Sequence, residues 1–375
     1  MKIAIITQPL RTNYGGILQN YALQTILKRF GHTPTTLQRQ EFNKTEYPRY
    51  FLTIFKRIIL KLGGKYRYPI FYEKKYMKDY PIFTQYTLGF VNRHIKTQVV
   101  DYSNPTLAKD EFDAYVVGSD QVWRPSYNNI RFTFLDFAKE WGVKRIAYAA
   151  SFGTDKWEFS QEDTAVCTSL IRKFDAVGVR EYSGVLLCHE HLATDAHLVL
   201  DPTLLLEKTD YEKLIDEVET KSSDGKLFVH ILDKDANKHK LVKKVSEGKG
   251  LKSFEVNCKV DEHEVNIPIE ERIQPPLEQW LRAFKDADFV ITDSFHATVF
   301  SIIFNKQFIV YANEGRGCAR FLSLLSLLGL ENRLVQNADD VKILSMPAIE
   351  YNKINNEIER LREQSMEFIN KVLKK

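Results

Sequence analysis

The sequence predicts an α/β protein of two doubly wound domains, each a parallel sheet covered on both faces by helices. Short, continuously apolar segments alternate with helical segments along most of the 375 residues, as expected for buried parallel strands. These segments fall into two series with a break around residue 206, and the clearest polar loop signal in the chain lies at 220–225 (TKSSDG), before the second series begins. The length also exceeds that of one typical domain, which agrees with two.

The apolar segments can be placed one by one. The first series contains four, at 2–6, 112–118, 145–150 and 175–180. A helix is predicted over 18–29, where apolar residues recur at helical spacing before Gly31. The second series contains three, at 227–232, 288–293 and 307–312.

The break between the series predicts the domain boundary. We expect an N-terminal domain at 1–206, with a basic aromatic insertion at about 41–98, and a C-terminal domain at 207–345. The remainder, 346–375, is predicted to form an amphipathic helix, because Ile354, Ile358, Leu361 and Phe368 share one stripe.

The composition excludes several classes of protein. With 44% hydrophobic and 27% charged residues, the chain is typical of a globular protein. No apolar run approaches the roughly 18 residues of a membrane-spanning helix, and the apolar stretch at 3–6 is too short for a secretory signal. The four cysteines lack metal or disulfide spacing, which predicts reduced thiols and a cytoplasmic location. We expect no metal site and no cofactor.

The insertion carries most of the charge asymmetry. Residues 48 to 78 include nine basic residues and one acidic residue, so this segment has a net charge of +8, compared with +4 for the whole chain. An amphipathic segment at 50–62 precedes further aromatic residues, so 50–76 is a candidate for peripheral contact with a membrane. The alternatives are a solvated insertion, or an apolar face that packs on the protein itself, for example on the C-terminal helix. We expect no nucleic-acid partner.

Ligands of doubly wound domains bind beyond the carboxyl ends of the strands, so the loops there hold the candidate site residues. After the first strand come Asn13, Tyr14, Gly15 and Gly16, at the start of a helix whose free N–H groups suit a phosphate or carboxylate. A bare strand-to-helix turn is the alternative.

A second loop has the composition of a sugar site. Asp120 and Gln121 follow the strand at 112–118, and Trp123 lies close by, so hydroxyls and a sugar face could both be bound. The alternatives are that Ser119 or Asp120 caps a helix and that Trp123 belongs to the core.

Three further loops carry charged or titratable side chains. Arg180 ends a strand, where its guanidinium would either bind a ligand carboxylate or phosphate in the cleft or pair with Glu181 or another acid. His296 begins a helix, where it could transfer a proton or be structural. Arg316 and Arg320 lie in a glycine-containing loop that suits an anion, or is simply a surface loop.

Taken together, these strings resemble the polysaccharide pyruvyl transferase family. The matching segments occur in the family's order, and they are 13–24 (NYGGILQNYALQ), 112–123, 145–153, 179–181, 201–206 (DPTLLL), 291–304 (ITDSFHATVFSIIF) and 315–320. The resemblance implies two Rossmann-like domains in a GT-B-like arrangement with the active site in the inter-domain cleft. It also implies phosphoenolpyruvate as donor, and a glycan or lipid-linked saccharide as acceptor of a pyruvate ketal.

The resemblance also implies roles for particular residues. His296 aligns with the family's histidine and is expected to act as proton donor or base, while Arg180, Arg316 and Arg320 are candidates for holding the donor's anionic groups. Characterised members often have an arginine two residues before the histidine, where this chain has Ser294. Either Arg316 or Arg320 supplies that charge, or the donor differs.

Two other functions fit the same fold class. A glycosyltransferase that uses a nucleotide sugar would bind a nucleoside diphosphate and ignore phosphoenolpyruvate. A non-catalytic relative that binds a glycan or an anion would bind its ligand without turnover. With any of these functions we expect a cytoplasmic protein, peripheral at the inner face of the membrane if the insertion docks there.

Overall fold

The computed structural model describes residues 1–39, 47–102, 105–312, 318–339 and 341–374. Its larger sheet has seven strands, all from the N-terminal half of the chain: β1 (Lys2–Ile6), β2 (Thr33–Arg39), β3 (Thr97–Val100), β4 (Ala114–Val117), β5 (Lys144–Ala150), β6 (Ala176–Val179) and β7 (His197–Leu198). Their order across the sheet is β3-β2-β1-β4-β5-β6-β7, and every pair is parallel.

Eight helices accompany these strands or follow them in the described part of the chain. They are α1 (Tyr14–Arg29), α2 (Tyr47–Leu62), α3 (Tyr72–Phe83), α4 (Gln85–His94), α5 (Ile130–Thr133), α6 (Gln161–Ile171), α7 (Tyr182–Leu192) and α8 (Lys208–Asp216). Helix α1 begins four residues before the predicted helix at 18–29, because Asn13 caps it and both glycines lie inside its first turn.

The second sheet has five parallel strands from the C-terminal half: β8 (Leu227–His230), β9 (Ser253–Phe254), β10 (Phe289–Thr292), β11 (Gln307–Tyr311) and β12 (Leu334–Val335), in the order β12-β11-β10-β8-β9. Its helices are α9 (Ala236–Lys249), α10 (Leu277–Asp286), α11 (Phe295–Ile303), α12 (Ala319–Leu327) and α13 (Tyr351–Lys374). The predicted α/β class with two Rossmann-like domains is confirmed.

Each sheet has one point where the chain reverses its direction of winding. In the first sheet this switch point lies between β1 and β4, and in the second between β8 and β10. Loops diverge from the carboxyl ends of the two strands at a switch point and leave a crevice there. The fold therefore offers one crevice for each half of the molecule.

Helix α13 joins the two halves. It begins on the C-terminal half, where the Tyr351 hydroxyl donates to the Ser301 carbonyl at 3.4 Å. It ends on the first sheet, where Lys144 Nζ donates to the Val372 carbonyl at 2.7 Å and Leu200 N donates to Ser365 Oγ at 3.0 Å. Of the apolar stripe predicted for this helix, Phe368 lies against Gly178 of β6 and near the ring of Tyr148 of β5.

The strands that sequence reasoning missed are polar or very short. β2 has the sequence TPTTLQR and lacks an apolar run, yet four of its seven residues are buried. Its Thr36 hydroxyl donates to Asn20 Oδ1 at 2.8 Å and accepts from Gln24 Nε2 at 2.9 Å, both from α1. A buried polar strand is tolerated here because the facing helix supplies its hydrogen bonds.

The structure of the insertion excludes one predicted alternative, in which its apolar face packs on the C-terminal helix. The apolar face of α2 is exposed and does not pack on the C-terminal helix, since Leu52, Phe55 and Leu62 are all more than 60% exposed. Among the helices within the described ranges, none is long and apolar enough to cross a membrane.

Candidate active site

A cavity of about 330 Å³ lies where the crevices of the two halves meet. The N-terminal half lines it from the loops after β1 and β4, and the C-terminal half from the loops after β8 and β10 and from the start of α12. The lining residues include Asn13, Tyr14, Gly15, Asp120, Gln121, His230, Asn257, Asp261, Gln274, Trp280, Ser294, Phe295, His296 and Arg320. The structure therefore brings together most of the predicted site residues.

The start of α1 forms one wall of this cavity. Asn13 Oδ1 accepts from Gly16 N at 3.1 Å and so caps the helix. Gly15 lies directly against the imidazole of His296, because a Cβ at this glycine would be 2.2 Å from His296 Cγ. The Tyr14 hydroxyl is already engaged, donating to the Pro275 carbonyl at 2.6 Å across the cleft.

The loop after β4 brings Asp120 and Gln121 to the cavity. Asp120 has a φ of 73°, uncommon for a residue other than glycine, and its carbonyl accepts from Ser151 N at 3.0 Å. Gln121 is fixed through its carbonyl, which accepts from Gln8 Nε2 at 2.7 Å. Both residues line the cavity, and their contact with sugar hydroxyls stays a prediction.

Trp123 does not take part in the cavity. It is fully buried and stacks on Phe134 at a centroid distance of 4.9 Å. The expectation that its face would pack on a sugar is wrong, and the core alternative is correct. The alternative in which Ser119 or Asp120 caps a helix is also wrong, since no helix begins directly after them.

Arg180 lies behind the cavity wall instead of pointing into the cleft. Its Nη1 donates to Asp201 Oδ2 at 2.7 Å and its Nη2 to Asp120 Oδ1 at 3.1 Å, with both nitrogens buried. Glu181 Oε2 lies 3.9 Å from Arg180 Nε. This agrees with the alternative of an intramolecular pair, and direct donor binding by Arg180 stays a prediction.

The arginine changes the pKa of the acids around it. Burial alone would raise the pKa of Asp120, but the charges of Arg180, His296 and Arg320 together outweigh it, and the pKa is lowered. Burial likewise opposes ionisation of Asp201, yet His296 and Arg180 hold its pKa well below the usual range. Both carboxylates are therefore ionised at neutral pH.

Asp201 connects Arg180 to His296. Its Oδ2 lies 3.6 Å from His296 Nε2, an ion-pair distance that is longer than a good hydrogen bond. Its Oδ1 accepts from Thr203 N at 3.0 Å and from Thr203 Oγ1 at 2.7 Å, which fixes the carboxylate. Sequence reasoning missed this residue, although the DPTLLL string at 201–206 marked its position.

Arg320 brings a cation to the cavity. It lies in the first turn of α12, and its guanidinium carbon is 5.6 Å from the centre of the Phe295 ring. The guanidinium carbon of Arg180 lies 4.5 Å from the centre of the same ring. Burial and the charge of Arg180 lower the pKa of Arg320 to about 10, so it is protonated at neutral pH. Arg316 lies outside the described residues.

Ser294 and Asp293 hold the start of α11 in place. The Ser294 hydroxyl accepts from Ala297 N at 3.5 Å as the N-cap, while the residue also lines the cavity. The buried Asp293 accepts from Leu232 N at 2.7 Å and from Lys238 Nζ at 2.9 Å. These contacts fix His296 at the second position of the helix.

His230, a further cavity residue, was not singled out from the sequence. It ends β8, and its Nδ1 accepts from Trp280 Nε1 at 3.2 Å. Burial lowers the pKa of His230 to about 4, so the ring is neutral at pH 7 and carries its proton on Nε2. The signal in the sequence was a histidine at the carboxyl end of a buried strand.

Two other features bear on the assignment of the site. A larger groove of about 760 Å³ lies between α7 and α12, but His296, Asp120 and Asp201 do not line it. Within the described ranges, no group of three or more His, Cys, Asp or Glu side chains is placed to hold a metal ion. The titratable groups gather at the smaller cavity, which we take as the candidate active site.

Comparisons with known proteins bear on the family of the chain. A family model described as polysaccharide pyruvyl transferase matches residues 13–315. A comparison with curated proteins finds no relative of significant similarity. Similar solved structures include Arabidopsis thaliana UGT89C1 complexed with UDP-L-rhamnose, at 10% identity, a TM-score of 0.49, and coverage of 98% of this chain and 94% of that one. Another is UDP-GlcNAc 2-epimerase from Neisseria meningitidis, at 10% identity, a TM-score of 0.48, and coverage of 97% and 94%.

Proposed function

Because the chain belongs to the polysaccharide pyruvyl transferase family, we propose that it transfers the pyruvyl group of phosphoenolpyruvate to a sugar of a cell-surface polysaccharide precursor as a ketal. The observation that carries this proposal is the pairing of His296 with the ionised Asp201 at a cavity that also receives Arg320. A proton donor and a cation thus lie at one cavity, as this chemistry needs.

The anionic donor would be held at the starts of three helices. Phosphoenolpyruvate carries a carboxylate and a phosphate, and each needs cationic or N–H partners. Helices α1, α11 and α12 all begin at the cavity, so their positive ends add to the charge of Arg320. Arg320 then supplies the charge that Ser294 does not.

His296 would supply the proton that starts the reaction. Protonation of C3 of phosphoenolpyruvate leaves a cationic C2, which the first sugar hydroxyl attacks. Phosphate then leaves C2, and the second sugar hydroxyl attacks there to close the ketal. The two hydroxyls release two protons: one replaces the proton that was given to C3, and the other leaves with phosphate. The Asp201 carboxylate lies 3.6 Å from His296 Nε2 and so faces the imidazole that would give this proton.

The acceptor would occupy the polar part of the cavity. Asp120, Gln121 and Asn257 offer carboxylate and amide groups suited to sugar hydroxyls. The neutral His230 adds an N–H donor without a charge. We propose a glycan or lipid-linked saccharide as acceptor and a cytoplasmic location for the reaction.

Ligand-dependent thermal stabilisation tests the donor. A ligand at 100 times its Kd adds about 2.7 kcal/mol of stability, so phosphoenolpyruvate should raise the melting temperature while UDP, GDP and CMP should not. Arg320→Ala should lose this shift. His296→Ala should keep the shift but lose phosphate release with acceptor by at least about 100-fold.

The outcomes separate the candidate functions. A shift with a nucleotide alone would replace this proposal with a glycosyltransferase that uses a nucleotide sugar. Turnover that survives in His296→Ala would remove the histidine from the mechanism. Binding of phosphoenolpyruvate without turnover on any acceptor would favour a non-catalytic relative.

A further inference from the structure

We propose that helix α2 docks the protein on an anionic membrane surface. Four apolar residues of this helix are spaced three or four apart and so share one face: Leu52, Phe55, Ile59 and Leu62. Their exposed fractions are 69%, 63%, 54% and 85% in that order. We call them the α2 face, and Phe51 and Ile58 extend it along one edge.

The α2 face is not part of the core. Single exposed apolar residues are ordinary in globular proteins, but a continuous exposed face of a helix marks a surface that contacts something else. The apolar clusters of the described residues contain no residue of α2. Exposed Phe71 and Met77, at 53% and 48%, add apolar surface in the segment that follows.

Lysines border this face on both sides. At about 100° per residue, Lys56 falls about 40° beyond Leu52 at one edge of the α2 face. Lys61 falls about 60° beyond Ile58, at the edge that Phe51 and Ile58 extend. Six lysines of the segment are exposed: Lys56, Lys61, Lys65, Lys74, Lys75 and Lys78. The two acids within helices α2 and α3 are paired, Glu73 with Arg57 and Asp79 with Arg272.

This charge pattern selects the partner. An apolar helix face bordered by lysines is typical of helices that lie in the interface of an anionic membrane, where the lysines reach the headgroups. A second copy of the chain would place the same positive borders against each other, which disfavours a dimer through this face. An anionic lipid surface meets both the apolar and the charged requirement.

Helix α2 is also linked to the cavity wall. Arg57 Nη1 donates to the Ile70 carbonyl at 3.1 Å, next to the start of α3. Helix α3 in turn contacts the loop at 257–274: the Tyr76 hydroxyl donates to Glu262 Oε1 at 3.0 Å, and Tyr72 lies 2.8 Å from His263 Nδ1. The same loop lines the cavity, so docking would hold the candidate active site close to the membrane.

The docking itself does not depend on the proposed function, although the benefit for a lipid-linked acceptor does. The test is flotation of the full chain with phosphatidylcholine vesicles, with and without phosphatidylglycerol, and with no substrate present. We expect flotation with phosphatidylglycerol vesicles alone, weakened by salt. The double variants Phe55→Ser/Leu62→Ser and Lys56→Glu/Lys61→Glu should each lower the bound-to-free ratio at least about tenfold.

Matched controls change exposed residues elsewhere. Leu186→Ser/Leu322→Ser removes apolar groups that are 43% and 45% exposed, and Lys109→Glu/Lys371→Glu reverses two exposed lysines; both should float like the wild type. Unchanged melting temperatures show that the variants are folded. The proposal is overturned if the protein does not float with phosphatidylglycerol vesicles, or if it floats equally well with neutral ones. It is also overturned if the control variants lose as much flotation as the α2 variants. Dimer formation through the α2 face without any binding to vesicles would overturn it as well.

Turnover distinguishes this proposal from the proposed function. With a water-soluble acceptor, the α2 variants should retain phosphate release at the wild-type rate, because none of the changed residues lines the cavity. Loss of flotation with unchanged turnover supports docking. Flotation without any turnover would leave docking supported and the pyruvyl-transfer proposal contradicted.

Discussion

At the scale of residues, the site depends on close contacts that leave no room for side chains. Gly15 lies against the ring of His296, whereas a Cβ added at the neighbouring Gly16 would lie 3.4 Å from Asn13 Cγ. The sequence showed both glycines before a helix, but it could not show which of them touches the histidine. That distinction comes from the packing of one domain against the other.

Gly15→Ala should displace the imidazole of His296. The added methyl would overlap the ring, and a shift of about 1 Å in a catalytic group can cost roughly 100-fold in rate. We expect phosphate release to fall by about that factor while the chain remains folded. Gly16→Ala is the matched control, since its methyl meets only ordinary van der Waals contacts. Equal losses in the two variants would contradict the assigned contact.

His230 makes the stability depend on pH. Its folded pKa of about 4 lies below the unfolded value of about 6.5, so between these values the unfolded chain binds more protons and stability falls as the pH falls. The shift of His230 from about 6.5 to about 4 corresponds to a loss of about 3 kcal/mol in the unfolding free energy once the pH has fallen below both values. His230→Gln keeps an acceptor for Trp280 but does not titrate, so its urea unfolding free energy should fall less over this range. Parallel curves for the two proteins would refute the buried neutral histidine.

At the scale of elements, the apolar strands were predicted and the polar ones were not. The segments that form β1, β5 and β10 are continuous apolar runs, which identify buried parallel strands directly. β2 is buried although its sequence is polar, because Gln24 and Asn20 of α1 both hydrogen-bond to the Thr36 hydroxyl. Pairing of this kind leaves no local signal in the sequence. The edge strands β9 and β12 have two residues each, too few for any periodicity.

The contact of α3 with the cavity loop depends on a buried ion pair. Arg272 is fully buried, and its Nη2 donates to Asp79 Oδ2 of α3. Asp79→Ala would leave this charge without its acid and should lower the unfolding free energy by about 3–5 kcal/mol. The rate of amide hydrogen exchange in residues 257–274 should rise in the same variant. Asp79→Asn retains an acceptor and should lose less; a similar loss in both variants would argue against the charge as the cause.

At the scale of the whole molecule, the cleft is defined by the two sheets and by helix α13, which joins the two halves. The GT-B-like arrangement implied by the resemblance agrees with a cavity lined by the switch points of both sheets. The site was predictable as a set of loops after strands, because parallel strands end on one edge. The pairing of Arg180 with Asp120 and Asp201 was not, since it joins residues far apart in the chain.

Helix α13 should make the two halves unfold together. It contacts both, and Ile369 is completely buried in the core that it shares with the N-terminal sheet. Ile369→Ala should lower the unfolding free energy by about 2–5 kcal/mol, in a single transition. Lys371→Ala, on the exposed side of the same helix, should have little effect. Two separate transitions in the wild type would contradict this role.

The position of α13 also has a consequence for synthesis on the ribosome. The residues that cover the N-terminal sheet, including Ser365 and Ile369, are translated after every strand of the second sheet. Domains usually fold in the order in which they emerge, but here the first domain lacks its final layer until α13 has emerged. Its sheet must therefore remain incompletely covered while the second domain is being made, and the nascent chain in that interval is the species most exposed to chaperones.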